Sequence, residues 1–175
     1  MADPFRLRVM KAVCTRLKSI TPAAGYIGDL SDYTDSAGRV AERVFRGRTI
    51  YGDNDPLPML AVLEDPRPAD ALNGTSNSVA AVNQFRILIQ GFVKDDKTHP
   101  LDPAYNLSAE VIKALVDGKK ERFNLLGLGG TGPCVMGLSI GQPVHRPPDD
   151  DVSAVAYFLV PVTLTLAENL ETPFA

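Results

Sequence analysis

The feature that most constrains the fold of this sequence is an alternation of side chains over residues 152–167. Its two interleaved sets are Ala154, Ala156, Phe158, Val160, Val162, Leu164 and Leu166 against Val155, Tyr157, Leu159, Thr163 and Thr165. A period of two residues is that of a β-strand, whose successive side chains point to opposite faces of a sheet. The alternation therefore predicts one long strand. Pro161 has no N–H to donate, which places it at an edge, at a bulge, or with that side facing outward.

Two Asp-Pro pairs predict the starts of two helices. Asp3 and Asp102 each provide a candidate N-cap side chain, and the proline that follows each of them suits the first helical turn. The periodicity predicts helices over residues 4–19 and 103–116, and the second should end at Gly118 in a left-handed conformation. Both helices carry an apolar arc broader than one face, so we expect each to be covered on more than one side.

Four further segments are typical of strands, namely residues 44–51, 58–63, 83–93 and 135–140. The second is a continuous apolar run suited to a central strand, and the third is partly apolar on both faces, so we expect both faces to be covered. In the last segment, Met136, Leu138 and Ile140 should point inward. The order α-β-β-β-α-β-β predicts a single α/β (α+β) domain over residues 1–175, with a mixed, largely antiparallel sheet and two main helices packed on it.

Long loops are the second prediction from composition. The chain has 14 glycines and 14 prolines, together 16% of its 175 residues. The two types usually contribute roughly 12%. Many of them lie at about residues 64–82 and 119–133, which have no periodic apolar pattern. Loops of this length are uncommon in compact domains and tend to be functional or disordered. We expect both to become ordered on contact with a neighbouring subunit or another partner.

One glycine motif has the spacing of a cofactor site. Gly127, Gly129 and Gly132 fit the G-x-G-x-x-G pattern of dinucleotide-binding folds. That motif needs a strand before it and a helix after it, because the helix N-terminus binds the pyrophosphate. Residues 133–137 continue as strand or loop instead. We therefore interpret the motif as a flexible loop and expect no cofactor.

The residues that most often form catalytic or metal sites are few. His99 and His145 lie in proline-flanked polar segments and are interpreted as surface residues, and no G-x-S-x-G motif accompanies them. Cys14 and Cys134 cannot form a disulfide framework, and we interpret both as buried apolar side chains. The aspartates at residues 53–55 and 95–96 lack the spacing of a calcium loop and are interpreted as turns. The sequence thus predicts neither an enzyme nor a metal site.

A membrane partner and a secretory signal are not expected either. The longest apolar stretch, residues 152–167, is shorter than the ~20 residues that a membrane helix needs. The basic residues of the first twenty positions are spread along the segment and do not precede an apolar block. We therefore expect the protein to be made in the cytoplasm.

Charge is unevenly distributed, although the formal net charge is only −3. Residues 1–20 hold five basic side chains and one acidic one, and residues 143–175 hold one basic and five acidic. Two interpretations remain open, local solvation and complementarity between neighbouring copies. Two arginines also point into the apolar arc of the first helix, where each needs a carboxylate or water. The candidate interface residues are Arg6, Arg16, Lys11, Lys18, Asp149, Asp150, Asp151, Gly129 and Gly130.

Several short phrases give the chain a resemblance to a known family. They are residues 22–26 (PAAGY) after the first helix, 44–48 (VFRGR), 55–64 (DPLPMLAVLE), 89–96 (IQGFVKDD), 99–105 (HPLDPAY) and 146–150 (RPPDD). In their sequence and in their order along the chain, they resemble the tail terminator, or tail completion, proteins of long-tailed bacteriophages. The resemblance covers most of the chain, but none of its phrases is a chemical signature.

The resemblance implies a structural virion protein of the tail and neck region, without catalytic activity. Such a subunit forms a ring, commonly a hexamer, which caps the tail tube, ends tube polymerisation and joins the tail to the head-side connector or stopper protein. Genomic DNA passes through the lumen without sequence-specific binding, and a contractile tail would add the sheath as a partner. Three alternatives remain: another neck or connector component, a small nucleotide-binding enzyme that uses the loop at residues 127–132, and a nucleic-acid-binding module that uses the basic first helix.

Overall fold

The computed structural model describes residues 2–52, 54–66, 71–74, 81–120, 124–130, 132–149 and 153–174. The elements follow in the order α1 (Phe5–Lys18), a 3-10 turn (Pro22–Ala24), β1 (Tyr33–Thr34), β2 (Val40–Ala41), β3 (Val44–Arg46), β4 (Met59–Glu64), β5 (Ala81–Val93), α2 (Asp102–Lys119), a second 3-10 turn (Leu125–Gly127), β6 (Cys134–Ile140), β7 (Val144–Arg146) and β8 (Ala156–Glu168). Both predicted helices and all five predicted strands are present. The short strands β1, β2 and β7 are additional to the prediction.

Six of these strands form one mixed, mostly antiparallel sheet. Its order is β3-β4-β5-β8-β6, and β7 also pairs with β8. Strands β3 and β4 are parallel, whereas the other neighbours in this sheet are antiparallel. Strands β1 and β2 form a separate antiparallel hairpin. The predicted α+β fold is confirmed, and so is the interior position of β4.

Pro161 lies in an interior strand and not at an edge of the sheet. Strand β8 pairs with β5 along its whole length, and on its other side it pairs with β6 over residues 162–167 and with β7 over residues 157–159. Between β6 and β7 the N–H of Gly141 donates to the carbonyl oxygen of Pro161 at 2.8 Å. The missing N–H of Pro161 therefore faces the break between β6 and β7. The sequence allows three placements for Pro161, and the nearest to the observed one is that in which the side of the strand without the N–H faces away from a partner strand.

Both helices pack on one face of the sheet, here called the inner face. Helix α1 contacts β3, and α2 contacts β5, β8, β6 and β7. The buried residues of β5 and β8 alternate as the sequence predicts, and those on the inner face meet Val9, Val13 and Leu17 of α1, none of which is exposed to solvent. Because burying a valine or leucine side chain contributes about 1.5–3 kcal/mol, this layer is the main source of stability.

The opposite face of the sheet, here called the outer face, carries neither of the described helices. Leu88 of β5 and Leu159 of β8 point to this side and remain partly accessible, and Pro161 between them is exposed. Phe92, at the end of β5, is nevertheless buried on this side. Within the part of the chain that the structure describes, the expectation that both faces of β5 are covered is therefore confirmed at that end and wrong for the rest of the strand. The aliphatic residues on the second face led to that expectation, and within the subunit they are shielded mainly by their neighbours in the sheet.

Neither helix starts with the predicted aspartate cap. The residue before α1 is Pro4, which provides no side-chain cap, and the carboxylate of Asp3 pairs with the ammonium group of Lys11 instead. In α2 the aspartate is itself helical: Asp102 lies in the first turn, after Leu101. An acidic side chain there still interacts favourably with the helix dipole. The Asp-Pro pairs thus locate both helix starts correctly to within a residue, but through a different interaction.

Gly118 does not end α2 in a left-handed conformation as predicted. It lies inside the helix, which continues to Lys119. A Cβ atom added to Gly118 would lie only 2.9 Å from Nε of Arg16. The glycine therefore permits the close approach of the Arg16 side chain of α1 to the last turn of α2.

A β-bulge changes which residues of β6 point inward. The register of β6 against β8 shifts between Val135 and Gly137, and the extra residue, Met136, is 55% exposed. Val135 and Leu138 are buried, and Ile140 packs partly against the core. Because a bulge moves one residue out of the alternation, the prediction is confirmed for Leu138 and wrong for Met136.

The described parts of the two long loops pack on their own subunit. In the first loop, Asn73 accepts a hydrogen bond from the side chain of the buried Asn83 and donates its own N–H to that side chain at 2.8 Å. In the second, Leu125 is buried in the core and the N–H of Val135 donates to the carbonyl of Leu128 at 3.0 Å. These stretches thus make contacts within their own subunit, and ordering of the loops by a partner stays a prediction. Residues 67–70, 75–80, 121–123 and 131 lie outside the described part of the loops.

The two cysteines differ in their environment. Cys14 is buried in α1, and burial raises the pKa of its thiol to about 11. Cys134, at the start of β6, is only half-buried. The interpretation of both as buried apolar side chains is therefore confirmed for Cys14 and wrong for Cys134.

Candidate functional site

The outer face is unusually poor in charge for an accessible surface. Along β5 it presents Val82, Gln84, Arg86, Leu88, Gln90 and Phe92, and along β8 it presents Tyr157, Leu159, Pro161, Thr163, Thr165 and Ala167. Arg86 is the one charged side chain among these twelve positions. Charged residues make up roughly 25–35% of an ordinary surface, so three or four would be expected among twelve positions, and depletion of charge is typical of a surface that another protein covers.

One end of the outer face has exposed aliphatic side chains. Val82 at the start of β5 is 49% exposed, and Met136 at the bulge of β6 is 55% exposed. Leu72 is 53% exposed near the same end of the sheet, where its neighbour Asn73 is hydrogen-bonded to Asn83 of the inner face. The bulge that overturned the prediction for Met136 is thus what places its side chain on this surface.

The other end of the outer face contains a cavity of about 560 Å3. Its aromatic wall is formed by Tyr51, Phe92 and Tyr157, with ring centroids 4.4 Å apart between the first two and 6.0 Å apart between the last two. Met59 and Gln90 also line it. A cavity of this size is large enough for a small molecule or for several side chains of a partner.

The loop after β3 holds the aromatic wall in place. Arg48 forms an ion pair with Asp55 at 2.6 Å, and its guanidinium lies over the ring of Phe45 at 4.5 Å. The hydroxyl of Tyr51 donates to the carbonyl oxygen of Arg48 at 2.7 Å, and burial raises the pKa of Tyr51 to about 12. Asp55 also accepts the N–H of Gly52 at 2.8 Å. Because the Asp55 carboxylate is engaged in this way, the cavity offers mainly aromatic and aliphatic surface.

Phrases that carry the family resemblance meet at this end of the sheet. Strand β3 pairs with β4, where Val44 lies opposite Leu60, and β4 pairs with β5, where Met59 lies opposite Phe92. Arg146 of β7 lies opposite Tyr157, and the ring of Tyr105 at the start of α2 stacks on His145 at 3.8 Å. Two of the phrases, residues 55–64 and 89–96, contribute side chains to the lining of the cavity, and the other segments named here lie elsewhere at this end of the sheet.

Arg6, a candidate interface residue, has its main partner inside the subunit. Its guanidinium donates two hydrogen bonds to the carboxylate of Glu168, at 2.6 and 3.1 Å, and it lies over the ring of Phe85. Glu168 is buried and also accepts a hydrogen bond from Asn83 at 3.0 Å. The hydrogen bond to Glu168 raises the pKa of Arg6. The carboxylate that Arg6 needs is therefore provided by the last strand of the same chain.

The other basic candidates of α1 also have partners within the subunit. Lys11 pairs with Asp3, and Lys18 pairs with Asp32 and Glu42, each at 2.8 Å. The guanidinium of Arg16 packs against Gly118. Since the Arg6–Glu168 pair also joins the basic first segment to the acidic last one, part of the charge asymmetry is neutralised inside the molecule. A role of these residues between subunits stays a prediction.

The remaining candidates are loop residues. Gly129 donates its N–H to the side chain of Asn124 at 3.0 Å, and Gly130 has a positive φ of 133°. The loop that contains them follows α2 and precedes β6, so among the described residues no α-helix begins after the glycines as a dinucleotide site requires. Asp149 forms a short antiparallel bridge with Ser153, whereas Asp150 and Asp151 lie outside the described residues. The structure does not bring Asp149 together with the basic residues of α1.

His145 is not the surface residue that the sequence predicts. It is half-buried between α2 and β8, stacks on Tyr105, and has Nε2 2.7 Å from Oγ of the buried Ser108. Ser108 donates its hydroxyl proton to the carbonyl oxygen of Tyr105 at 2.9 Å. Because a hydroxyl has a single proton, the N–H of His145 is the donor in the first hydrogen bond. His99 is exposed, as predicted.

The stability of the protein should decrease as the pH falls through the range where histidine titrates. Burial lowers the pKa of His145 below its ordinary value, so the unfolded chain takes up a proton more readily than the folded one. The contribution of His145 is fully present above about pH 7 and is lost as the pH falls toward its folded pKa. Urea denaturation at pH 7.5 and pH 5.5 measures the loss, and His145→Phe should reduce it. His99→Gln is the control: if it reduces the loss as much, the assignment to His145 is wrong.

No family model matches the chain, and no curated protein is significantly similar to it. In the part of the chain that the structure describes, no group of three histidine, cysteine or acidic side chains could hold a metal ion. Within the same residues, no helix is long and apolar enough to cross a membrane. The case for a function therefore depends on the outer face and on the phrases that meet at its end.

Proposed function

We propose that this protein is a structural subunit of the neck of a long-tailed bacteriophage, a tail terminator that assembles in the host cytoplasm and remains in the virion. It forms a ring, with six copies as the expected number, which caps the tail tube and ends its polymerisation. The same ring joins the tail to the head-side connector, and DNA passes through its lumen. We assign it no catalytic role and no cofactor.

The observation that carries this proposal is the outer face, with one charged side chain in twelve positions and an aromatic cavity at one end. A face of this kind would be stabilised by contact with another protein because apolar area would be removed from water. The resemblance supports the same function, since two of its phrases, residues 55–64 and 89–96, contribute to the lining of the cavity. Another neck or connector component would use such a face in the same way and remains the nearest alternative.

The other two alternatives have less support from the structure. The glycine loop at residues 127–132 lies between a helix and a strand, the reverse of the arrangement that binds a dinucleotide. Lys11 and Lys18 of the basic helix are paired with carboxylates, which leaves less positive charge for contacts with nucleic acid phosphates. No specific observation favours either function.

The proposal is tested with the purified protein and the tail tube protein of the same particle. Light scattering of the purified protein should give a mass near six times 18.8 kDa. Electron micrographs should show rings, either of the protein alone or at the ends of tubes when tube protein is added. Added to polymerising tube protein, the wild type should limit tube length. A strict monomer that stays monomeric with tube protein, and does not affect tube length, contradicts the proposal.

The outer face is tested separately with the double variant Leu159→Lys/Thr163→Lys. Both positions point away from the core, so the variant should fold, yet it should leave the tubes long because two charges would be buried in the contact. The matched control is Ala23→Lys/Ala24→Lys, two lysines at exposed positions of the first 3-10 turn, which should limit tube length like the wild type. Normal activity of the outer-face variant would exclude this face as the docking surface.

A further inference from the structure

We propose that neighbouring copies of this chain meet edge to edge, with the β1–β2 hairpin of one copy inserted beside α2 of the next. This rests on the proposed ring and names the surface that would close it. The two sides of the subunit differ: α1 and β3 lie at one edge of the sheet, and α2, β6 and β7 lie at the other. A contact between different surfaces on opposite sides is heterologous, and it generates a ring where the rotation closes.

The α2 edge presents apolar side chains and a groove. Tyr105 is 54% exposed and Val116 is 41% exposed. They lie on one stripe of the helix with the half-buried Ile112, at spacings of seven and four residues. Between α2 and the break that separates β6 from β7 is a cavity of about 400 Å3, lined by these two aliphatic residues together with Ile140 and Pro143. This is the broad apolar arc that the sequence predicts to be covered, and in the single subunit it is not.

The β1–β2 hairpin at the opposite edge presents an exposed apolar side chain. Val40 in the β1–β2 hairpin is 77% exposed. Two contacts fix the hairpin to the rest of the subunit: Lys18 of α1 bridges Asp32 and Glu42, and Arg43 lies over the ring of Tyr33 at 4.5 Å. A valine held on a fixed hairpin is small enough to enter the groove beside Val116.

The backbone and the area of the two edges agree with such a contact. Strands β3 and β7 have three residues each, and among the described residues no strand pairs with their free edges. Such edges are able to add backbone hydrogen bonds between copies. With 18 residues α2 is about 27 Å long, and a helix on a sheet is about 20 Å high. A contact face of these dimensions on each of two copies would bury about 1,100 Å2 in total, above the ~1,000 Å2 total that a biological interface needs.

The test uses Val40→Glu and Val116→Glu, which change exposed positions at the two ends of the proposed contact. Each variant alone should fold with the wild-type melting temperature and remain monomeric in light scattering. Mixed, they should form pairs and no rings, because Val116→Glu keeps an intact hairpin and Val40→Glu keeps an intact groove. Ile27→Glu is the matched control, since Ile27 is 86% exposed in a loop held by Glu110, and it should form rings.

The outcomes separate this inference from the proposed function. If wild type forms rings and either valine variant does so as well, the edge contact is wrong while the ring stands. If the mixture forms full rings, or no pairs at all, the contact is not heterologous in the stated way. If the wild type never forms rings, even with tube protein, the proposed function fails and this inference with it. As a direct check, Val40→Cys/Val116→Cys in a Cys134→Ser background should form disulfide-linked multimers on oxidation, and their absence would overturn the contact.

Discussion

Replacing Gly91 by alanine should destabilise the protein by about 3 kcal/mol or prevent it from folding. Gly91 lies opposite Phe158 in the β5–β8 ladder, and an added Cβ would lie 2.2 and 2.3 Å from two atoms of that ring. It would also lie 2.9 Å from a methyl group of Leu60. Phe158 is completely buried, so the ring cannot move away without displacing other core residues. Urea denaturation followed by circular dichroism measures the loss.

The matched control for this change is Gly74→Ala. An added Cβ at Gly74 meets no atom of the described residues within 4 Å, so the change should alter the free energy of unfolding by less than about 0.5 kcal/mol. If Gly91→Ala folds poorly for the stated reason, Phe158→Leu in the same chain should restore part of the stability, because the smaller side chain leaves room for the methyl group. A Gly91→Ala protein as stable as the control would show that the close approach is not needed.

The second large effect is expected from Arg6→Met. The change leaves the carboxylate of Glu168, which is only 4% exposed, without its cationic partner, while the side-chain amide of Asn83 still donates a hydrogen bond to it. Removing one partner of a buried ion pair typically costs 3–5 kcal/mol. We expect about 2–3 kcal/mol here because a third of the Arg6 side chain is exposed. Chemical denaturation at neutral pH provides the measurement.

The double variant Arg6→Met/Glu168→Met distinguishes the ion pair from simple loss of packing. With both charges removed, the apolar side chains occupy a similar volume, and the double variant should be more stable than Arg6→Met alone. The control Lys11→Met removes an exposed pair with Asp3 and should change stability by less than about 1 kcal/mol. A double variant that is less stable than Arg6→Met would contradict the account given for Glu168.

Local periodicity was sufficient to predict the helices and long strands, because it follows directly from where the core lies. What it could not provide depends on pairing between distant segments. The outward position of Met136 results from a shift of register against β8, and the place of Gly118 inside α2 results from the approach of Arg16. Pro161 is tolerated because two different strands meet at the same point of β8. None of these is visible within a window of neighbouring residues.

The candidate site was predicted less well than the fold, for a related reason. Arg6 was identified as a charge in an apolar arc, yet its partner Glu168 is 162 residues away, so the sequence left open whether the partner belongs to another copy. The outer face was visible as Leu159, Thr163 and Thr165, but only the position of both helices on the inner face shows that these side chains are accessible. His145 has no local signal at all, because Ser108 and Tyr105 approach it from another element.

The place of β8 in the sheet also determines when the subunit is able to fold. Strand β8 is the last element of the chain to be synthesised among those described, yet it lies between β5 on one side and β6 and β7 on the other. Until it emerges from the ribosome, β6 and β7 have no strand to pair with, and one edge of β5 is open. Contacts between residues so far apart in sequence form slowly. Sheet formation should therefore follow the synthesis of β8, and contacts with other copies that need the complete sheet should form only after that step.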